Sequence, residues 1–579
     1  MRICLVTPFS WSQPHDVNEH VAGLAGGLRD LGHTVTVLAP SGRATDLLAG
    51  RRALQDGLEA DVIALGPTLP ISRRSRIGVP VGVRANLALA LARGNFDVVH
   101  AFDPGLPSLS YLALRETRAL SAATFFSPER LGYPPGRAQR ERLLGRTDAL
   151  LAVSERVAEA AAERFPGEYR VVSPGVDPVL FDPDTKKRKL AVVEWRPGER
   201  ALARAALRVL PELPDWELVI LRTKPLTARP TIPLGLRDRV RVRTLRDGAS
   251  RASLLNEAAI FVPSPNGLPR VALEARAAGV AVAEPPGMAE QPELGAAALA
   301  RLAENDVLRE RLGSEGRAAA EGQDFGSVAR VHDELYRSLG KRRATRPSET
   351  GARGALEDRD WIICDLHLHT SWSHDCAIET EDLLDHAEAT GLGAIAITDH
   401  NVFGGALEAM ELARERDLIV IPGEEVKTLD QGEVIGLFLE EEIPRGMSFA
   451  DTLAAIKDQG GLVYLPHPFD RMHTVPDSST LHRHLADIDL FEVYNARLLF
   501  EGHNDEALRF ARKYNLIMGA GSDAHVLQGV GTGVVRMRSF RDPEEFLISL
   551  RSAEVLRRPK SLAYLQSLKW MAQVKERVR

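Results

Sequence analysis

Short apolar runs alternate with amphipathic stretches along most of the 579 residues. The runs at 3–6, 34–38, 97–100 and 149–153 are too short and too apolar for surface helices, and the stretch 17–31 carries its apolar residues at helical spacing. Strands and helices in this alternation predict a parallel sheet wrapped by helices. The rhythm restarts over 187–338, with strands expected at 189–193, 216–221 and 259–262. Residues 340–351 are charged, rich in chain breakers and without apolar period, which marks a linker. Beyond it, strands are predicted at 361–365, 394–398, 418–421, 434–439, 462–465, 490–494 and 516–518, and helices near 379–390, 404–416, 448–459 and 504–514. The pattern therefore divides the chain into 1–182, 183–340, a linker 341–358, a third domain 359–556 and a basic tail 557–579, expected to form a terminal helix.

Candidate chemistry collects at the ends of the strands in the last third. His367-Leu368-His369 closes the first of them, and two imidazoles one residue apart can grip one metal ion together. Asp375, Thr398-Asp399-His400, Gly423-Glu424-Glu425, Pro466-His467-Pro468 and Gly521-Ser522-Asp523-Ala524-His525 follow, most of them directly after an apolar run. Histidine with carboxylate suits borderline divalent metals, and so many donors suggest more than one ion. Residues from many strands converge at their C-terminal ends only if the strands close into a barrel. Ions about 3.5–4 Å apart can share a water and clamp a phosphoryl group, which points to phosphoester hydrolysis. Arg471 and Arg497 are candidates for contacting phosphoryl oxygens or, equally, ordinary salt-bridge partners. Asp399 reads as a group that hydrogen-bonds a ligand rather than one itself. His374, His473, His482 and His484 match no motif.

Composition narrows the setting. The length exceeds one core. Three cysteines are too few and too scattered for a disulfide framework or thiolate site, which fits a reducing compartment, and the expected location is the cytoplasm. No run approaches the length of a membrane span, and residues 2–6 lack the apolar length of a signal peptide. Between 361 and 550 there are 33 Asp and Glu against 14 Lys and Arg. So acidic a region is a poor platform for a long nucleic acid, and a small phosphorylated substrate is expected instead.

The order His-x-His, Asp, Thr-Asp-His, Gly-x-Glu, Pro-His-Pro and Asp-x-His over about 361–550 resembles the PHP (polymerase and histidinol phosphatase) family. The resemblance implies a distorted seven-stranded (β/α)7 barrel holding two to three divalent ions, zinc, manganese or iron. It further implies a first metal on His367, His369, Glu425 and Asp523, with Glu425 bridging to a second that also takes His467. A third would take Asp375, His400 and His525, so that Asp375 and His400 join Arg471 and Arg497 in the catalytic set. The family often gives the second metal a further histidine from the preceding strand; here Glu433 stands in that place.

Residues 1–340 resemble the GT-B glycosyltransferases of the retaining, phosphatidylinositol mannosyltransferase-like kind, two Rossmann-like domains facing a cleft. The carriers are Val17-Asn18-Glu19-His20-Val21, residues 31–40 and 96–100, Ala152-Val153-Ser154, Pro174-Gly175-Val176-Asp177 and 273–279. The resemblance implies a sugar nucleotide or sugar in the cleft, with Glu274 and Arg196 as cofactor-binding residues. The departures fall where the chemistry would be. His15-Asp16 replaces a glycine pair, Phe126 replaces a histidine, Glu194 and Glu199 flank the place of a basic pair, and Asn266 replaces the first of two glutamates. The expectation is a metal-dependent phosphoesterase fused to a degenerate GT-B module. The alternative is a working glycosyltransferase, with Arg196 or Arg200 in place of the basic pair and an accessory PHP domain.

Overall fold

A computed structural model describes residues 1–58, 60–70, 78–80, 82–196, 200–222, 231–245, 247–265, 269–288, 290–343, 356–470, 472, 474–558 and 564. The chain forms two compact units, Met1–Leu339 and Gly340–Arg579. The expected linker 341–358 falls largely on 344–355 and the expected tail largely beyond 558, and these stretches lie outside the described residues, as do Arg471, His473, Glu199 and Asn266.

In the first unit, β1 (Arg2–Val6), β2 (Thr34–Ala39), β3 (Val62–Ala64), β6 (Val98–Phe102), β7 (Leu120–Phe125), β8 (Ala149–Ala152) and β9 (Tyr169–Val171) form one sheet in the order β3-β2-β1-β6-β7-β8-β9. A short hairpin of β4 (Thr68–Pro70) and β5 (Gly78–Pro80) lies apart from it. The second sheet runs β12 (Val240–Thr244), β11 (Glu217–Arg222), β10 (Leu190–Trp195), β13 (Ile260–Val262) and β14 (Ala281–Val282). Every neighbouring pair in both sheets is parallel. This doubly wound pair is the GT-B arrangement. Helix Phe325–Gly340 returns to the first sheet, where Phe325 fills the space left by Gly23 and Gly175: a Cβ on either glycine would stand 2.3–2.4 Å from its ring. His100 then hydrogen-bonds Tyr336 at 2.7 Å, a polar pair inside the apolar layer.

In the second unit, seven strands follow in order: β15 (Trp361–Leu368), β16 (Ala394–His400), β17 (Ile419–Lys427), β18 (Glu433–Leu437), β19 (Leu462–Leu465), β20 (Leu490–Asn495) and β21 (Ile517–Gly521). The last meets the first again through a parallel bridge, Leu368 to Ala524, so the sheet is a nearly closed barrel. It is distorted because β17 and β18 form a hairpin, leaving β18 antiparallel to both neighbours. That reversal carries a consequence for the site: the first residue of β18, Glu433, stands at the rim where its neighbours have their last. An apolar cluster contributed by these strands, among them Leu366, Ile421, Leu437, Tyr464 and Leu490, fills the barrel.

Three elements after the seventh strand go beyond the sequence expectation. β22 (Gly533–Arg538) and β23 (Glu554–Arg557) extend the sheet antiparallel from β15, with helix Pro543–Leu550 between them. Arg536 and Arg538 interrupt the apolar run of β22, because their side chains lie over the ring of Trp361 instead of entering the core.

Candidate metal centre

The nine donors singled out in the sequence stand together at one rim of the barrel. β15 carries His367 and His369, β16 ends on His400, and β17 runs past its expected end so that Glu425 lies within the strand. Glu425 is the hub. Its Oε2 lies 3.3 Å from His367 Nε2, 3.5 Å from His369 Nε2 and 3.1 Å from His400 Nδ1, and its Oε1 lies 3.1 Å from His467 Nε2. Asp523 Oδ1 is 3.4 Å from His369 Nε2 and 4.0 Å from His367 Nε2. On the outer side Asp375 stands 3.1 Å from His525 and 3.7 Å from His400, and Glu433 reaches to 3.7 Å from His467. The imidazoles of His369 and His400, and of His369 and His525, have ring centroids 4.4 Å apart.

Strand alternation separates the two neighbouring glutamates. Glu425 points into the cluster, while Glu424 turns the other way and accepts from the backbone N–H of Ile443 at 2.9 Å. Burial pushes the Glu424 carboxyl up to about 7.

The backbone is bent to hold this geometry. His467 and Asp523 adopt left-handed conformations at φ 26° and 51°, which non-glycine residues accept only where the surroundings enforce them. Asp523 is pinned by its N–H to the carbonyl of His367 at 2.8 Å, and His467 by its N–H to Glu492 at 2.6 Å. Gly521 is required by close approach, since a Cβ there would sit 2.2 Å from that of His367.

Around the nine donors stands a layer of which the motifs revealed only Asp399. Glu492 accepts from Tyr464, Asn495 and His467 and faces His367 Nδ1 at 3.1 Å, which leaves Nε2 of that ring for the centre. Asp365 accepts from the backbone N–H groups of Ser522 and Gly531 and so ties the seventh strand to the first. Asp399, expected to hydrogen-bond a ligand itself, instead receives Thr370 and Ser373, and it is Ser373 that contacts His369 Nδ1 at 3.3 Å. The signal for Glu492 was its position: an acid inside the apolar strand run Leu490-Phe491-Glu492-Val493-Tyr494 needs a partner.

Electrostatics mark a site built for cations. Burial alone would discharge the imidazoles, yet the charges of Glu425, Asp523 and Glu492 hold His367 well above the usual histidine range, while His369 is driven below it by burial and by His525 and His400. Asp523 and Asp375 stay ionised well below the usual carboxylate range despite burial, Asp523 through Arg497 and His367, Asp375 through His525 and His400. The buried Nε2 of His369 has no hydrogen-bond partner although two carboxylates lie within 3.5 Å. Five imidazoles and four carboxylates with an orphaned nitrogen between them fit divalent ions, and sets such as His367, His369 and Glu425, or His369, His400 and His525, bring their donor atoms within 4.8 Å of one another.

Residues 365–518 match the family model described as the PHP domain, and 501–555 the one described as PHP-associated. The second unit is a PHP domain. Residues 17–180 match Glycosyltransferase Family 4, so the chain joins a family 4 glycosyltransferase-like half to the PHP domain. An uncharacterized protein of Methanocaldococcus jannaschii is 34% identical over 211 residues, 34% of this chain and 84% of that protein. A phosphatidyl-myo-inositol mannosyltransferase of Mycobacterium tuberculosis is 29% identical over 382 residues, 58% of this chain and 97% of its own. Among solved structures, the pneumococcal O-GlcNAc transferase GtfA is 11% identical, covering 58% of this chain and 99% of its own at a TM-score of 0.41.

Arg497, after the sixth strand of the PHP domain, lies 3.1 Å from Asp523, 3.9 Å from Asp375 and 3.0 Å from the His525 ring, with 42% of its side chain exposed. In the other half, Glu274 is fully buried between Arg251 and Arg270, and Arg196 is buried at the end of β10. Among the described residues no helix is long and apolar enough to cross a membrane.

Proposed function

We propose that the PHP domain hydrolyses a phosphate ester with a metal-activated water, and the observation that carries this is the convergence of five imidazoles and four carboxylates on the Glu425 hub beside a half-exposed arginine. His367, His369, Glu425 and Asp523 would hold one ion, Glu425, His467 and Glu433 a second, and Asp375, His400 and His525 a third. When bound, such ions lower the pKa of a shared water and neutralise phosphoryl oxygens. Arg497 is anchored by Asp523, and its exposed fork is aimed to bind and orient the phosphate from the solvent side. Asp375 is the most exposed of the four carboxylates, and with His400 it forms the solvent-facing edge of the cluster. Burial of His367, His369 and Glu425 excludes bulk water from the centre. Zinc, manganese or iron suits this donor set. The three unpaired cysteines agree with a cytoplasmic setting.

The test is phosphate release from p-nitrophenyl phosphate by the full chain in the presence of manganese or zinc. His367→Ala with His369→Ala should abolish it while the glycosyltransferase-like half keeps its unfolding transition. Equal release by the double variant would refute the assignment.

We infer in addition that residues 1–339 bind without transferring sugar. Phe126 is buried where the resembling enzymes have a histidine, Glu194 is buried with its carboxylate on the Ser264 N–H, and Glu274 is neutralised by two arginines. A developing diphosphate needs preorganised positive charge that is free to meet it. The competing reading, an active sugar-nucleotide-dependent transferase, draws on the 97% coverage of the mannosyltransferase relative. Product assays across nucleotide sugars decide between them: turnover that vanishes in Glu274→Ala establishes the transferase.

A further inference from the structure

The helix Asp16–Asp30 of the first sheet opens with two acids, Asp16 and Glu19, in its first turn. Glu19 meets two arginines of the second sheet's layer. Glu19 Oε2 lies 2.8 Å from Arg251 and 3.1 Å from Arg270, and Glu19 Oε1 accepts from the backbone N–H of Gly248 at 3.1 Å. The same two arginines hold Glu274, Arg251 through two bonds of 2.6 Å and Arg270 at 3.1 Å. Arg270 also donates to the backbone carbonyl of Asp16 at 2.9 Å. The Asp16 carboxylate is 3.6 Å from Arg130, and burial notwithstanding it stays ionised well below the usual range through His15, Arg130 and Arg196.

Guanidinium forks facing the first turn of a helix are the elements of a phosphate site, because helix amides and arginines both favour an anion. Here the anion is part of the chain. Arg251 and Glu274 are 5% and 0% exposed and Glu19 20%, so these charges are compensated in a nearly dry setting with no ligand required.

We propose that the cleft between the two sheets of residues 1–339 is a diphosphate-class anion site occupied by the chain's own Glu19. The carboxylate of Glu19 clasps the two layers together in the place where a nucleotide diphosphate would otherwise bridge them. This rests on the reading of that half as non-transferring and explains it by occupancy rather than by loss of arginines. The site takes pyrophosphate or a nucleoside diphosphate only once Glu19 is withdrawn.

Calorimetric titration of the full chain with inorganic pyrophosphate tests this. His367→Ala with His369→Ala serves as the common background, so that any heat from the PHP domain is the same in every arm. The background protein should show no pyrophosphate site that depends on Arg251, and adding Glu19→Gln should create one at least about tenfold tighter than any residual binding. Further addition of Arg251→Met should remove that site. Pyrophosphate binding by the background that Arg251→Met abolishes would overturn the proposal, as would a folded Glu19→Gln variant that gains nothing. Amide exchange reads the same contact without any variant. Gly248 and residues 16–19 should exchange at the same rate with and without pyrophosphate, and slowing confined to them would also overturn the proposal. Neither readout uses phosphate release or sugar transfer, so failure here is distinct from failure of either functional reading.

Discussion

Replacing Glu492 with Gln separates a designed metal centre from a chance cluster of polar groups. Glu492 receives four donors: the His467 N–H at 2.6 Å and Asn495 at 3.1 Å on one oxygen, Tyr464 at 3.2 Å and the His367 ring at 3.1 Å on the other. A carboxylate can accept all four, whereas an amide offers one oxygen and places an NH2 group against two of the donors. A buried donor without an acceptor costs about 1–3 kcal/mol, so two of them destabilise the domain by roughly 2–6 kcal/mol, with relaxation favouring the lower end. The second effect is on the centre itself. Without a carboxylate at Nδ1, the His367 ring is free to carry its proton on Nε2, the atom facing Glu425. Outer partners of this kind are worth about 10–100-fold in metal affinity, or roughly 1.4–2.7 kcal/mol. Chelator competition reads the affinity and thermal unfolding reads the stability. Glu492→Asp, which keeps the charge on a shorter arm, should fall between. A Gln variant that binds metal as tightly as the parent and unfolds at the same temperature would refute the role assigned to Glu492.

Strand alternation at Glu424 and Glu425 predicts opposite outcomes for adjacent substitutions. Glu425→Gln should lose most metal and activity, while Glu424→Gln should keep both and raise unfolding temperature at pH 8, since it removes a buried acid whose raised pKa of about 7 makes its ionised form unfavourable there. Similar metal loss in the two variants, measured by elemental analysis, would contradict the assignment of faces. The metal-free PHP domain should be most stable below about pH 6.5 and lose stability as pH rises through about 9. This follows because Glu425 and its neighbours overcome burial to push His400 and His467 up to about 9, so the folded state holds those protons more tightly than the unfolded one. Metal replaces the protons, so the loaded protein should show a flatter profile; thermal unfolding of chelated protein that rises from pH 6.5 to 9 would contradict it.

Much of the barrel was legible because its parallel strands are continuous apolar runs closed by polar donors, as at 394–400, where Ala394-Ile395-Ala396-Ile397 leads into Thr398-Asp399-His400. The hairpin of β17 and β18 was not read, although no helical period separates 418–421 from 434–439. Nor was the extent of β17: Pro422 and Gly423 read as an end, yet the sheet continues through them because β16 and β18 pair on both sides. The outer layer around the donors escaped for a different reason. Asp365, Ser373 and Glu492 act through contacts between different strands, or through a loop, and no spacing rule encodes those. In the other half the residue substitutions at 15–16, 126 and 194 were readable one by one, but the pairing of Glu19 with Arg251 and Arg270 exists only once the two sheets face each other.

The central claim is that the Glu425 hub holds a cluster of metal ions. Elemental analysis of the full chain, purified from metal-replete medium, reads this directly. About two to three divalent ions per chain are expected, falling below one when His367 and His369 are both replaced by Ala. Less than one ion per chain in the unsubstituted protein would contradict it.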